Sequence, residues 1–469
     1  MHIEQIYTGC LAQGAYYIES NGEVAVIDPL REVKPYLERA AKTGSTIKYI
    51  FETHFHADFV SGHVTLSKMT GAPIIFGPNA RPTFDCIIAE DQQSFALGAI
   101  TITALHTPGH TMESTTYLLR DENGKDCAIF SGDTLFLGDV GRPDLAQKAA
   151  DITQEDLAGM LFDSLREKIL PLADDVIVYP AHGAGSACGK NMMKETVDTL
   201  GNQKQMNYAL RANMTRDEFI NEVTDGLLPP PQYFPLNVKM NKEGYDDIDQ
   251  VIARGTQALS PAAFEVAANE TGAIVLDVRN QSDFIKGHIP RSIFIGLDGG
   301  FAPWVGTLIA DVKQPLLLIT PEGREEEAIT RLSRVGFDQT LGYLKGGFQA
   351  WQAAGKEWDT ITSVSADAFA QTLAHEEISV FDVRKATEYL SEHVQDAHNS
   401  PLDFLNNHLA EFPQNKPFYV HCAGGYRSVI AASILKSRGI HNSIDVAGGF
   451  KSIAQTSVPR TDYVCPSTL

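Results

Sequence analysis

Short apolar runs punctuated by turn residues fill the N-terminal third of the chain. AYYIES and VAVID flank Asn21-Gly22, a pair suited to a tight two-residue turn, and predict a hairpin. VKPYLERAAKTG carries a helical pattern that ends on Gly44, a glycine stop. IKYIFETH predicts a strand running straight into a histidine cluster, and AITITALHT, STTYLLRD and CAIFSGDTL predict three more strands. LLPPPQYFP, at 227–235, is too proline-rich to continue a helix or a central strand. It is expected to end the first domain or to form a strap leading out of it.

The rest of the chain repeats itself. IVLDVR at 274–279 returns as SVFDVR at 379–384, and KGHIPRS at 286 is echoed by SEHVQDA at 391. LLLIT at 316 matches FYVHC at 418, and GYLKGGFQAW at 342 matches DVAGGFKSI at 445. The offset stays near 102 to 105, which predicts two copies of one βα-alternating unit. In each, the DVR strand end comes early and the GGF turn late.

A chain of 469 residues is too long for one domain, and roughly 150 residues per domain gives about three. The expected boundaries are 1–250, 256–357 and 362–463. The net charge of −21 repels phosphate backbones and argues against nucleic acid as a partner. No apolar run is long enough to span a membrane. MHIEQIYTGC shows no basic stretch followed by an apolar core, so a cytoplasmic protein is expected. Its six scattered cysteines, Cys10, Cys86, Cys127, Cys188, Cys422 and Cys465, resemble neither a disulfide framework nor a zinc ribbon, and reduced thiols are expected.

Thr53-His54-Phe55-His56-Ala57-Asp58-Phe59 follows an apolar strand. Two imidazoles and a carboxylate at alternate positions on a strand-end loop can converge on a metal. His110 in TPGHT, Asp133 in SGDT and His182 in PAHG each follow a further strand. His2, His63 and His106 lack such a setting and read as structural or surface residues. The series THxHAD, TPGHT, SGDT and PAHG resembles the metallo-β-lactamase superfamily, an αβ/βα sandwich. Glyoxalase II-like members carry HxHxDH and bind two metals. Here Phe59 stands where the last histidine belongs, which argues for a single-metal site.

Among these enzymes the chain resembles the persulfide dioxygenases. That resemblance implies one Fe(II) per chain on His54, His110 and Asp133, a facial triad with open positions. His56, Asp58 and His182 would then orient ligands or bound water. GDVGRPDL places Arg142 at a substrate-facing arginine of those enzymes, where a guanidinium holds an anion; the alternative is an ordinary loop arginine. AHGAGSACGK resembles bacterial fusions of a persulfide dioxygenase with two rhodanese domains, over essentially the whole chain. Cys188 in that loop is either a second sulfur-handling thiol or a plain loop cysteine.

Cys422 follows the strand PFYV, and Ala423, Gly424, Gly425 and Tyr426 lead into a helix. Loop N–H groups and the helix N-terminus would lower the thiol pKa and cradle a persulfide anion, with Arg427 adding a fixed positive charge. The Cys-x4-Arg spacing makes a smaller cradle than the Cys-x5-Arg of tyrosine phosphatases and resembles rhodaneses. The first copy reads Ile319-Thr320-Pro321-Glu322-Gly323-Arg324-Glu325, with no cysteine, and is expected to be catalytically dead. In both copies the DVR aspartate and arginine read as structural.

The expectation is therefore an α/β multidomain chain: a metallo-β-lactamase sandwich followed by two rhodanese-like α/β domains. The resemblance implies oxidation of a low-molecular-weight thiol persulfide with O2 to sulfite, and transfer of sulfane sulfur by Cys422 to sulfite, giving thiosulfate. It also implies a homo-oligomer. The rival reading is a zinc-dependent, glyoxalase II-like thioester hydrolase fused to a rhodanese. A second rival is a sulfur-carrier protein with an inert metal domain.

Overall fold

Asn21 and Gly22 both take positive φ, 49° and 79°, the geometry of a tight turn whose twist matches paired strands. They join the strands Gln13–Ser20 and Glu23–Ile27, which pair antiparallel. The helix Lys34–Thr43 follows, and Gly44 ends it in the left-handed conformation at φ 68°, where an L side chain would be strained. These local choices agree with the sequence pattern. The computed structural model describes residues 1–145 and 151–465. The chain divides into two compact units, one of residues 1–248 with 333–336, the other of residues 249–332 with 337–469.

The first unit holds two six-stranded sheets in which sequence neighbours pair throughout. Along Gln13–Ser20 the side chains alternate between two buried faces. Tyr16 and Ile18 point between the sheets, where they meet Phe51, Ile100, Ile102, Tyr117 and Phe130. Ala15 and Tyr17 join Val33, Tyr36 and Leu66 under the outer helices Lys34–Thr43 and His63–Thr70. The second sheet covers its outer face with Gln154–Ser164 and Arg216–Thr224, whose Leu157, Leu161 and Phe219 are fully buried. The order is helix, sheet, sheet, helix, the αβ/βα sandwich expected.

Strands Ile100–His106, Asp126–Gly132 and Ile177–Pro180 run in one direction, because Thr115–Arg120 lies antiparallel between the first two and the third is parallel. Their C-terminal ends therefore open on the same rim. Thr115 N donates to Thr53 O at 2.9 Å, which ties the end of Thr46–Phe51 in the first sheet to that rim.

The segment 227–235 continues neither a helix nor a strand: it follows the helix Arg216–Thr224, and its last two residues open a new helix, Phe234–Glu243, with proline in its first turn. Pro235 sits where the missing N–H has no intrahelical role and its fixed φ suits the helix. The chain then returns to the metal loop through Asn241, described below.

The second unit contains two five-stranded parallel sheets. Their strand orders are equivalent: in each copy the first strand lies at one edge, followed by the fifth, fourth, second and third. The DVR pairs are internal, as expected. Arg279 Nη2 donates to Asp277 Oδ2 at 2.6 Å, and Arg384 Nη2 to Asp382 Oδ2 at 2.6 Å. The GGF turns also repeat: Gly346, Gly347, Gly448 and Gly449 all have positive φ, 75°, 61°, 76° and 57°.

Candidate functional site

The strand ends of the first unit bring His54, His110 and Asp133 together. One donor atom from each lies within 4.8 Å of the others, and all three are buried. His110 Nε2 is 3.4 Å and His54 Nε2 3.8 Å from Asp133 Oδ2. Their second nitrogens are committed elsewhere. His110 Nδ1 donates to Arg142 O at 2.8 Å, and His54 Nδ1 lies 3.0 Å from Thr53 Oγ1, which itself donates to Asp28 Oδ2 at 2.8 Å. That tautomer leaves both Nε2 lone pairs facing the centre.

Asp133 Oδ2 is buried without a hydrogen-bond partner. An orphaned carboxylate oxygen facing two imidazoles is the donor set a metal ion satisfies. Burial alone would raise the Asp133 carboxyl. The charges of His182, His54 and His110 instead hold it below the ordinary carboxylate range. The backbone here admits only glycine at two points. A Cβ on Gly141 would lie 2.1 Å from Asp133 O and 2.9 Å from His110 Nδ1, and Gly132, at φ 55°, would strike Thr53.

His182 and Asp58 form the next ring. His182 Nδ1 lies 2.8 Å from Asp133 Oδ1, and its Nε2 lies 2.8 Å from Asp58 Oδ2. These carboxylates raise the His182 pKa well above its usual value against the opposing effect of burial. His56 turns Nε2 toward Asp28 and Glu52, at 3.1 and 3.6 Å. His56, Asp58 and His182 still form a second group with donor atoms within 4.8 Å. Phe59 is fully buried and lies over the His56 ring, centroids 4.4 Å apart, so its position contributes a hydrocarbon face and no ligand.

Arg142 does not project a free guanidinium. Nε and Nη2 grip Asp144 at 2.6 and 2.7 Å, Nη2 donates to Leu228 O at 2.5 Å, and Nη1 to Ala187 O at 3.3 Å. It joins three loops of the wall. Cys188 lies beside the centre, its thiol grouped with Asp133 and His182. Burial, then Asp58 and Asp133, push that thiol well above its ordinary pKa.

Three residues of this site were not singled out from the sequence. Asn241 Nδ2 donates to His56 O and Phe59 O, both at 2.8 Å, while its Oδ1 accepts from Ser61 N at 2.8 Å. One amide thus pins the whole histidine loop from a helix far along the chain. Asp28 and Glu52 form the acidic floor under His56. Nothing local marks Asn241, whereas Glu52 sits two residues before His54 and was in view.

In the second unit, Cys422 is buried at the end of the strand Phe418–His421. Gly425 N donates to Cys422 Sγ at 3.1 Å, and Gly425 takes φ 100° to aim that N–H inward. The helix Tyr426–Ser437 begins immediately after. Nothing lies within 4 Å of a Cβ placed on Gly424, so the loop has open space there. Behind it, a Cβ on Gly449 would meet Cys422 O at 2.4 Å, which explains the paired glycines of the GGF turn. Arg427 is held by Glu388 in a bidentate pair, at 2.6 and 2.8 Å, and Glu388 was not foreseen. Ala423 and Tyr426 complete the loop.

The cysteine-less copy builds the same loop around a different anion. Gly323 N donates to Glu325 Oε1 at 3.2 Å, and Thr320 Oγ1 does the same at 3.2 Å. Thr320 stands where the other copy has Cys422, and Glu325 where it has Arg427.

Comparison with known proteins agrees with these two architectures. The metallo-beta-lactamase superfamily matches residues 8–182, and the rhodanese-like domain matches residues 260–354 and 365–456. The chain is 29% identical over 221 residues to human mitochondrial persulfide dioxygenase ETHE1, covering 47% of this chain and 78% of that protein. It is 32% identical over 171 residues to the hydroxyacylglutathione hydrolase of Tolumonas auensis, covering 36% of this chain and 60% of that one. A solved metallo-beta-lactamase from Staphylococcus aureus subsp. aureus COL is 30% identical, with a TM-score of 0.65, and the match covers 74% of this chain and 99% of that one. The chain belongs to the metallo-β-lactamase superfamily and carries two rhodanese-like domains after that fold.

Proposed function

We propose that the chain oxidises low-molecular-weight thiol persulfides to sulfite at one Fe(II) in its first unit and converts sulfite to thiosulfate at Cys422. Persulfide, O2 and water give thiol, sulfite and two protons; a second persulfide and that sulfite give thiol and thiosulfate. The observation that carries the reading is Phe59. It puts an inert ring where two-metal relatives place a ligand, beside a complete two-histidine, one-carboxylate group. The similarity to human persulfide dioxygenase supports it.

A ferrous ion in such a triad supplies the one-electron chemistry that makes O2 reactive toward a persulfide. The protein's own groups prepare that site. Arg142 O fixes the His110 tautomer, and His182 holds Asp133 so that Oδ2 stays directed at the centre. His182 and Asp58 form a buried pair able to keep a proton beside the pocket. Arg142 acts by holding the pocket wall rather than by facing substrate freely.

At Cys422 the thiolate attacks the outer sulfur of a persulfide. The S–S bond breaks, the thiol leaves with its proton, and the cysteine carries the sulfane sulfur. Sulfite then attacks that sulfur and releases thiosulfate and the thiolate. The Gly425 N–H stabilises the anionic sulfur in both half-reactions.

A second reading draws on one observation: His56, Asp58 and His182 keep a second metal group even without a histidine at 59. It makes the first unit a two-zinc thioester hydrolase, in line with the hydroxyacylglutathione hydrolase similarity. Metal analysis with an oxygen electrode separates the two. One iron per chain and persulfide-dependent oxygen uptake support the dioxygenase; two zinc ions with glutathione thioester hydrolysis and no oxygen uptake overturn it.

A further inference from the structure

The cysteine-less copy touches the live cradle. Tyr426, inside the Cys422 loop, donates its hydroxyl to Gly296 O at 2.8 Å. Its ring packs on Gly299 so closely that a Cβ there would lie 2.3 Å from Tyr426 Cζ. Phe294 meets the same ring edge-on at 5.8 Å, and Phe294 N donates to Ser433 Oγ, on the helix that leaves the loop, at 3.0 Å. The turn that receives Tyr426 is itself braced. Arg331 Nη1 donates to Leu297 O at 2.6 Å, and Arg324 Nη1 grips Asp298 at 2.8 Å. Arg324 belongs to the dead loop and occupies the place that Tyr426 has in the live one.

A second residue of this copy reaches the cradle mouth. Gln281 Nε2 lies 3.4 Å from the position of a Cβ on Gly425, the residue whose N–H holds Cys422 Sγ. The half-buried Gln281 side chain thus sets an amide against Gly425, one residue from the open space at Gly424. Glu388 already engages Arg427, so an incoming oxyanion finds little free positive charge there. A neutral N–H donor at the mouth supplies a hydrogen bond in its place.

We propose that the sulfurtransferase site is composite: the cysteine-less copy completes it, with the 296–299 turn fixing Tyr426 as a positioning residue and Gln281 donating to the acceptor oxyanion. The inference rests on the sulfur-transfer reading given above. It assigns the catalytically silent repeat a place in the reaction, which its own sequence does not carry.

The test uses the full chain. Gly299→Ala should lower thiosulfate formation at least tenfold and shift the pH profile of Cys422 alkylation by iodoacetamide, with oxygen uptake by the first unit unchanged. In a double-variant cycle, Gly299→Ala should add little once Tyr426→Ala has removed the ring it strikes. Gln281→Ala should raise the KM for sulfite roughly tenfold, the loss of about one hydrogen bond to a charged group, while the KM for cyanide, a linear two-atom nucleophile with no lateral oxyanion to turn toward the amide, changes much less. Additive effects of Gly299→Ala and Tyr426→Ala, or an unchanged sulfite KM in Gln281→Ala, overturn the composite site. Alkylation needs no sulfur donor, so it separates the two ideas: a parent chain without transferase activity retires the sulfur-transfer reading, and an alkylation profile unaltered by Gly299→Ala retires the composite site.

Discussion

His182 and Asp133 divide the carboxylate between two tasks: Nδ1 of the histidine lies 2.8 Å from Oδ1, and Oδ2 is left without a hydrogen bond. Each oxygen therefore fails differently when disturbed. Asp133→Ala should abolish metal retention. His182→Gln should keep the carboxylate but weaken metal affinity by about tenfold to a hundredfold, the usual scale for a partner that only orients a ligand. Chelator competition measures both, and equal affinity in His182→Gln and the parent would contradict this division.

Phe59 is the second test point. His56, Asp58 and His182 already lie close enough to share an ion, and the phenyl ring occupies the adjoining position. Phe59→His should raise the metal content from one toward two per chain when zinc is supplied. A stoichiometry that stays at one would mean that Asp28 and Glu52 hold His56 away from that second site.

Cys422→Ser should redirect the product. A serine hydroxyl has a far higher pKa than a thiol and cannot carry sulfane sulfur. Persulfide-dependent oxygen uptake should change by less than about twofold, with sulfite accumulating in place of thiosulfate. Thiosulfate formed without enzyme is measured with the Asp133→Ala/Cys422→Ser double variant given sulfite and persulfide, and subtracted. Thiosulfate at the parent rate would move sulfur transfer to another thiol, with Cys188 the first to examine.

The pH dependence of stability in the second unit should carry the mark of His288. It stacks on Phe284 with centroids 4.0 Å apart, and its Nδ1 bonds Phe284 O at 2.9 Å. Burial lowers its pKa to about 4, against roughly 6.5 when unfolded. Between those values the unfolded chain binds the proton and the folded chain does not. Stability is therefore full above the unfolded value and falls as the pH drops toward the folded one, by up to ~1.4 kcal/mol per pH unit. His288→Phe should be less stable near neutrality by about 1 kcal/mol, from the lost hydrogen bond, yet flatter in acid. Urea unfolding at several pH values checks the slope.

The parts legible in the sequence are those written locally. The Asn21-Gly22 turn, the Gly44 stop, the strand-end histidines and the Cys422 loop each depend on a few adjacent residues whose chemistry is specific. The repeat was legible because DVR and GGF recur at one offset. What escaped is long-range or depends on comparing the copies in space. Asn241 reaches His56 and Phe59 across 185 and 182 positions, and a lone asparagine in a helix gives no local sign of that. Arg142 matched a substrate-facing pattern, but the Asp144 and Leu228 contacts that occupy it come from the fold. The helix that starts at Phe234 also escaped, because proline's effect changes sign between the first turn, where Pro235 lies, and the interior.

Glu325 gives the silent repeat one more property. With a carboxylate of its own already accepting from Gly323 N and Thr320 Oγ1, that loop commits two of its donors to a resident negative charge, which opposes a sulfur oxyanion there. The duplication therefore leaves no idle sink. Sulfite and thiosulfate would titrate one loop per chain rather than two, and product released beside the repeat would stay free to diffuse away.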